Sequence, residues 1–398
     1  AIDDLKLRVS YGSTGNRTVG RYQTLSQMSV GLANGYLYGT SGGAQLGSFL
    51  NQLPNKSLRW ETTNSFNTGV DFAFFKNRLF GSLDLYFSNS KNLLNSIATP
   101  TVTGFSNFLI NIGKIQNRGQ ELNINGVPVA TENFRWQIGA NFFRNRNKVL
   151  DINGTGKDLI NGSNPILSYF IGKPYGVVYD YKITGMYQLG EEIPASFTGQ
   201  GFKAGQYKIE DVNNDGLITP LDKQVLGKLD PSYSLGISNN LQYKSFELKF
   251  FINTVQGGKN GYLGAPAITL QNPDNIRNNN GFVFDYWTPN NTGARYRSIA
   301  AYVSTLGETF GPYVSRSFIR LQDITLTYNF SQKLLDRLKI VKAMGVYINA
   351  QNLFTITKWD GWDPEANSTS TTRPGGLGLD EAGFPVMKNY SIGLNLTF

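Results

Sequence analysis

The chain contains neither cysteine nor histidine. Without cysteine there are no disulfides, no thiolate nucleophile and no thiolate metal site. Without histidine the commonest general base and the commonest metal ligand are missing. Ser-His-Asp, Cys-His and zinc arrangements are therefore excluded, and a hydrolase built on paired carboxylates has no positive signal; the chain does not read as an enzyme. Charge is scarce: charged residues make up 16% against 40% hydrophobic, which is lean for a soluble protein. No apolar run approaches the ~18–20 residues of a membrane helix. That absence leaves membrane strands open, because their signal per segment is much weaker. Acidic residues are the scarcer sign, 28 against 37 basic, for a net charge of +9. The basic residues do not gather into the runs of about five to eight that mark a nucleic-acid patch, so no nucleic-acid partner is expected. Their densest cluster, RNRNK at Arg144–Lys148, follows directly from an amphipathic strand and suits a loop beside an anionic lipid surface.

What is abundant is aromatic and small: 13% aromatic residues, with 26 Phe and 21 Tyr, and 44 Gly. They are arranged with period two. Leu5, Leu7, Val9 and Tyr11 alternate with Lys6, Arg8 and Ser10; Phe134, Trp136, Ile138, Ala140 and Phe142 with Arg135, Gln137 and Asn141; Tyr390, Ile392, Leu394, Leu396 and Phe398 with Ser391, Gly393, Asn395 and Thr397. Such alternation marks a strand with one apolar and one polar face, and about ten to twelve segments show it. Lys76-Asn77 and Lys244-Ser245 leave room only for hairpin turns. The intervening connections are long: Tyr11 to about Arg59, Ser88 to Arg118, Val149 to Tyr169, and Gly257 to Ser315. Short turns at one end and long loops at the other, with aromatics near strand ends, point to an all-β antiparallel transmembrane barrel wall with short periplasmic turns and long extracellular loops. Periodicity alone leaves a soluble sandwich open, since there too one face is apolar. One helix interrupts the pattern: Ser331–Val341 reads as a Ser-capped amphipathic segment before the next strand.

One loop carries metal spacing. In DVNNDGLITPLD, Asp211, Asn213 and Asp215 fall at the first, third and fifth positions. Gly216 stands where a sharp turn is needed, Leu217 can offer a carbonyl, and Asp222 stands in the final position usually held by a bidentate glutamate. Hard calcium wants such oxygens, so a structural calcium clip is one reading and a metal-free Asx-turn loop the other. Tyr286 and Trp287, in FDYWTPNNTGARY, and Trp359 and Trp362, in TKWDGWDPE, are candidate ligand-binding residues. Aromatics beside carboxylates and amides suit sugar or peptide stacking, though packing of loops on one another explains them equally.

Several segments also resemble one family. NKSLRWETTNSFNTGVDFAFFKNRLFGSLDLYFS, NIGKIQNRGQELNI, YKIEDVNNDGLITPLDKQVLG, RSFIRLQDITLTYNFSQKLLDRL and VYINAQNLFTITKWDGWDPE are similar, in order, to the barrel part of SusC/RagA-type TonB-dependent outer-membrane transporters. The resemblance implies a bacterial outer-membrane protein with a plugged barrel of about 22 strands. It also implies energy from the TonB complex, a SusD-like surface lipoprotein as partner, and import of oligosaccharides or peptides. On that reading residues 1–398 are the C-terminal half of the barrel, and the plug, the TonB-contacting region and the first strands lie elsewhere in a longer polypeptide. The alternatives are a self-contained passive porin, which requires a closed ladder of even strand number, and a soluble calcium-clipped binding or adhesion module.

Overall fold

The structure, a computed structural model, describes residues 2–17, 20–37, 44–99, 101–105, 107–160, 168–260, 285–298, 313–338, 340–359, 363–365 and 386–398. Ten strands form one sheet in strict chain order. They are β1 (Ile2–Asn16), β2 (Glu61–Phe74), β3 (Leu79–Lys91), β4 (Lys114–Ala130), β5 (Phe134–Asp151), β6 (Tyr233–Tyr243), β7 (Phe246–Gln256), β8 (Phe318–Asn329), β9 (Ala343–Thr357) and β10 (Asn389–Thr397). Every neighbouring pair is antiparallel. Among the described residues β1 and β10 each have one partner, so the ladder is open at both edges.

Register turns the sequence alternation into two continuous faces, because residues directly opposite in an antiparallel pair share a face. One row of partners runs Leu7, Val70, Leu83, Leu122, Phe142, Leu235 across β1 to β6, and another Leu241, Leu248, Leu326, Ile348, Ile392 across β6 to β10. One residue along, the row reads Lys6, Asp71, Ser82, Asn123, Asn141, Gly236, Asn253, Arg320. In β8 the apolar beat falls on Ile319 and Leu321 and then on Ile324 and Leu326. A bulge at Gln322, between the pairs Ile252–Leu321 and Phe251–Asp323, absorbs the extra residue and keeps both sets on one face. A soluble sandwich would cover the apolar face with a second layer; here Leu7 is 70% exposed and Ile392 75%.

The strands are longer than the hydrophobic pattern shows. β1 continues to Asn16 and β2 begins at Glu61, while β3 runs to Lys91 and β4 starts at Lys114, so the expected long connections are shorter than Tyr11–Arg59 and Ser88–Arg118. The added ends are polar on both faces, with Thr62 opposite Lys91 and Thr63 opposite Ser90, so the ladder persists where periodicity is silent. β5 has 18 residues, against about 9–11 needed to cross a bilayer, so its upper part stands clear of the apolar zone.

The turns at the other end are tight. Between β2 and β3, Phe75, Lys76 and Asn77 all take positive φ (59°, 57° and 58°), and the Asn77 N–H donates to the Asp3 carboxylate at 2.9 Å. Lys244 donates its backbone N–H to the Asn133 carbonyl at 2.9 Å, tying two neighbouring turns together. The expected helix is present as Gln332–Leu338 in the β8–β9 connection, with Leu335 buried.

Above the sheet, the β5–β6 connection is a folded unit. Val177–Tyr181 pairs with Lys223–Lys228 and Ile183–Met186 with Tyr207–Ile209, and a short helix spans Ala195–Gly199. Tyr181, Tyr187, Phe202, Tyr207, Ile209 and Ile218 form its buried core.

Candidate functional site

The polar face is built from short amides, hydroxyls and compensated charges. Asn125 donates to Asn123 (2.6 Å) and Asn123 to Asn141 (2.7 Å), a ladder of amides across β4 and β5. Glu247 accepts from Asn240 at 3.0 Å and pairs with Lys249 at 2.9 Å. Asn349 donates to Asp323 at 2.7 Å. Arg8 spans two carboxylates, Asp71 and Asp84, each at 2.8 Å. Gly69 lies beneath that triad, where a Cβ would stand 2.2 Å from an Asp84 oxygen; a larger residue would push the bridge apart. A cleft of about 400 Å³ opens on this face, lined by Asn125, Gln137, Lys249, Asp323, Phe80 and Phe251 among others. Donors, acceptors and two rings in one cleft suit a polar oligomer that presents both hydroxyl or amide groups and apolar patches.

The aromatic candidates have structural surroundings. Trp287 is 4% exposed and its Nε1–H donates to Gln188 Oε1 at 2.9 Å. Its ring lies over Gly205, which has φ 82° and where a Cβ would meet the ring at 2.5 Å. The Ser298 N–H donates to the Gly205 carbonyl at 2.7 Å. The 285–298 segment is thus stapled to the β5–β6 unit, and the Trp287 ring has no free face. Tyr286 is 38% exposed. Trp359 is buried beside Val314, with the Arg316 guanidinium 5.5 Å from its ring centroid. Trp362 lies outside the described residues.

Beside Trp359 sits a group that periodicity alone does not reveal. Arg320, 3% exposed, pairs with buried Asp363 at 2.6 Å and with Glu365, and donates from Nε to Thr355 at 2.9 Å. Arg316 donates to the Pro364 carbonyl at 2.7 Å. Two arginines before and within β8 therefore hold the Asp363–Glu365 turn that follows β9 against the wall. The carboxylates beside the tryptophans in the sequence are the available signal; their partners are distant in the chain.

The Asp-rich loop is organised by its own backbone. The Gly216 N–H donates to Asp211 Oδ2 (2.8 Å), the Asp215 N–H to Asn213 Oδ1 (3.1 Å) and the Leu217 N–H to Asp215 Oδ1 (2.8 Å). Asp222 is fully buried, and its two oxygens accept from the backbone of Val212 (2.9 Å) and Thr219 (2.7 Å) in a capping box. Asp211 Oδ1 is out of solvent and has no hydrogen-bond partner. Among the described residues no three acidic side chains come together as a metal shell. A calcium ion would find an open acceptor at Asp211 Oδ1, whereas both oxygens of Asp222 and both oxygens of Asp215, the latter from the Leu217 N–H and from Asn213 Nδ2 at 2.8 Å, already accept hydrogen bonds. Nearby, a hydrogen bond from Gln224 and the ion pair with Lys182 hold the Glu210 carboxyl below its usual range. Burial pushes the Tyr207 hydroxyl up to about 12.

Residues 1–353 match the family described as TonB dependent receptor-like, beta-barrel. The chain belongs to that TonB-dependent receptor family. Members of this family are outer-membrane β-barrels, and the exposed apolar face of the chain is accordingly its lipid face and the polar face its lumen side. TonB-dependent receptor P3 of Formosa agariphila is 29% identical over 412 residues, covering 100% of this chain and 40% of the relative. TonB-dependent receptor SusC of Bacteroides thetaiotaomicron is 28% identical over 412 residues, covering 100% of this chain and 38% of SusC. The chain thus spans about two fifths of the length of the curated relatives it matches. The RagAB peptide importer in its open-open state superimposes with a TM-score of 0.74 at 22% identity, over 100% of this chain and 40% of that one, which carries the fold. No helix among the described residues is long and apolar enough to cross a membrane; this TonB-dependent receptor chain crosses with strands.

Proposed function

We propose that the ten strands are one arc of the wall of an energised outer-membrane importer whose cargo is a polar oligomer, an oligosaccharide or a peptide. The single observation that carries this reading is the two-faced register. A continuous lipid face backs a lumen face of amides, hydroxyls and paired charges with a cleft of about 400 Å³. The likeness to SusC and to the RagAB importer supports TonB as the energy source and a SusD-like lipoprotein as the outer partner. It also supports a plug and further strands supplied outside residues 1–398. Among the described residues the edges of β1 and β10 are open, which favours a larger wall over a passive porin closed within these residues.

The deciding experiment is uptake of fluorescent oligosaccharides and peptides by cells that carry the protein, with and without an intact TonB system. Uptake that stops when either the protein or TonB is removed supports the importer. Uptake that survives loss of TonB makes the protein a passive pore. Calcium enters the same reading as a clip at Asp211, Asn213, Asp215 and Leu217, supported by the buried, unpartnered Asp211 oxygen.

A further inference from the structure

On the lipid face Leu122 stands opposite Phe142, and above that row the same face carries Gln120 with Arg144, then Arg118 with Arg146, then Gln116 with Lys148. Phe87 of β3 flanks Arg118. Each step of two residues rises about 7 Å, so these four cations occupy a band immediately above the apolar zone, at the end of the wall that bears the long loops. Three of them, Arg144, Arg146 and Lys148, come from the RNRNK stretch.

On the lumen face Arg8, Lys249 and Arg320 each meet a carboxylate. Among the described residues, Arg118, Arg144, Arg146 and Lys148 find no side-chain hydrogen-bond or ion-pair partner, and Arg118 directly opposes Arg146, an arrangement that repels. A fifth cation, Lys228, comes in from the β5–β6 unit. Arg118, Arg146, Lys148 and Lys228 line a cleft of about 400 Å³ whose lining includes a single acid, Asp230, itself held by Asn147 at 2.8 Å. Burial, with Arg146 and Arg144 close by and Asp230 opposing, lowers the Lys228 pKa from its ordinary value.

We propose that this cleft docks the phosphorylated headgroup of an outer-leaflet glycolipid. The occupant follows from position. The site adjoins the acyl-facing row of Leu122 and Phe142, and Arg118, Arg144, Arg146 and Lys148 stand on that same face, so an amphiphile can place its chains on the row and its phosphate among the cations. The inference rests on the membrane placement of the two faces, not on which cargo is imported or on TonB, so the two readings fail separately.

The test uses the full protein extracted from its outer membrane and native mass spectrometry. The probes are phosphorylated lipid A, the same lipid dephosphorylated, and inorganic phosphate. The wild type is expected to retain phosphorylated lipid A and to release it as salt rises. Arg118→Ser/Arg146→Ser/Lys148→Ser is expected to bind it on the order of a hundredfold more weakly, from about fivefold per basic residue near an anionic headgroup. Arg118→Lys/Arg146→Lys, which keeps the charge, should stay within a fewfold of wild type. Equal retention of the dephosphorylated lipid, an unaffected serine variant, or complete displacement by millimolar inorganic phosphate would each overturn the proposal, the last by making this a site for free anions. Should the serine variant lose the heat-modifiable mobility of a folded barrel, the wild-type preference between the two lipids and the lysine variant decide the matter.

Discussion

In the β5–β6 unit Tyr181, Phe202 and Ile218 are 1–2% exposed, whereas on the wall Leu7, Ile348 and Ile392 stand 57–75% exposed. The same chain therefore contains two kinds of folding problem. The loop unit excludes water with its own side chains. The wall has almost no interior: of its apolar residues, buried ones such as Ala73, Val149 and Phe318 are few. Its order comes from a backbone ladder in which nearly every polar group is paired, and its apolar face is satisfied by lipid. The two regions should accordingly fail under different insults.

The largest separation is expected from Phe202→Ala. Removing a fully buried ring from the core shared with Tyr187 and Tyr207 costs about 3–5 kcal/mol. Protease cuts should appear between residues 172 and 229, while the heat-modifiable migration that reports the barrel stays intact. Loss of both together would show that the loop unit and the wall are one cooperative body. Arg320→Ala tests how the turn that follows β9 is held to the wall. It leaves the buried Asp363 carboxylate without its partner, a loss of about 3–5 kcal/mol. Cleavage should open near Trp359–Glu365, and unchanged protection there would mean the turn is held by other contacts.

The wall is best probed with neighbours. Ile138 and Gln137 are adjacent in β5 but lie on opposite faces. Ile138→Arg puts a charge on the lipid face midway along the Phe134–Phe142 apolar beat and should cost roughly 2–4 kcal/mol, the penalty toward the bilayer midplane; Gln137→Arg, in the lumen, should cost close to nothing. Denaturant unfolding of the protein in lipid bilayers measures both. Similar losses at the two positions would remove the assignment of faces on which the import reading depends.

Alkaline pH should separate the regions more gently. The Tyr207 hydroxyl is raised to about 12 by burial, against 10 for the free side chain, although Arg297 and Arg295 oppose the shift. The folded unit thus holds its proton longer than the unfolded chain does. The associated stability is present below pH 10 and is lost as pH rises from 10 to 12, by roughly 2–3 kcal/mol for a shift of this size. Tyr207→Phe should flatten that limb of the loop-unit unfolding profile and leave the wall unchanged. An unaltered pH profile would assign the alkaline loss to other tyrosines, among which Tyr169 is also raised to about 12.

How legible these regions are in the sequence follows from the same contrast. The wall announces itself, because a face that must meet lipid has to repeat every second residue: the rows through Leu83, Leu122 and Phe142 are visible in the alternation of the amino acids alone. Where both faces meet water, as from Ser88 to Lys91, nothing repeats and the strand ends are invisible, although the ladder continues. The loop unit is nearly silent, since its core residues, Tyr181, Phe202 and Ile218, come from short segments without a common period. For Trp287 and Trp359 the sequence leaves ligand stacking and packing side by side, because the groups that bury them, Gly205 with its positive φ and Arg316 before β8, lie 82 and 43 positions away in the chain.

The smallest effect, and the finest test of the loop unit, concerns the Asp-rich loop. Its spacing suggests five ligands, Asp222 among them, but both Asp222 oxygens already accept backbone N–H groups from Val212 and Thr219. A metal held by this loop would draw on Asp211, Asn213, Asp215 and the Leu217 carbonyl. The two carboxylates therefore make different predictions. Asp211→Asn removes a charge where one oxygen lies buried and unpartnered, so calcium affinity should fall steeply while the metal-free fold changes little. Asp222→Asn replaces an acceptor-only group with one that places an NH₂ against a backbone N–H, so it should loosen the 207–229 region with or without calcium. Calorimetric titration beside hydrogen exchange of that region distinguishes the two. If Asp211→Asn leaves the calcium isotherm as it was, or if wild type gives no isotherm, the loop is an Asx-turn scaffold whose carboxylates serve its own backbone.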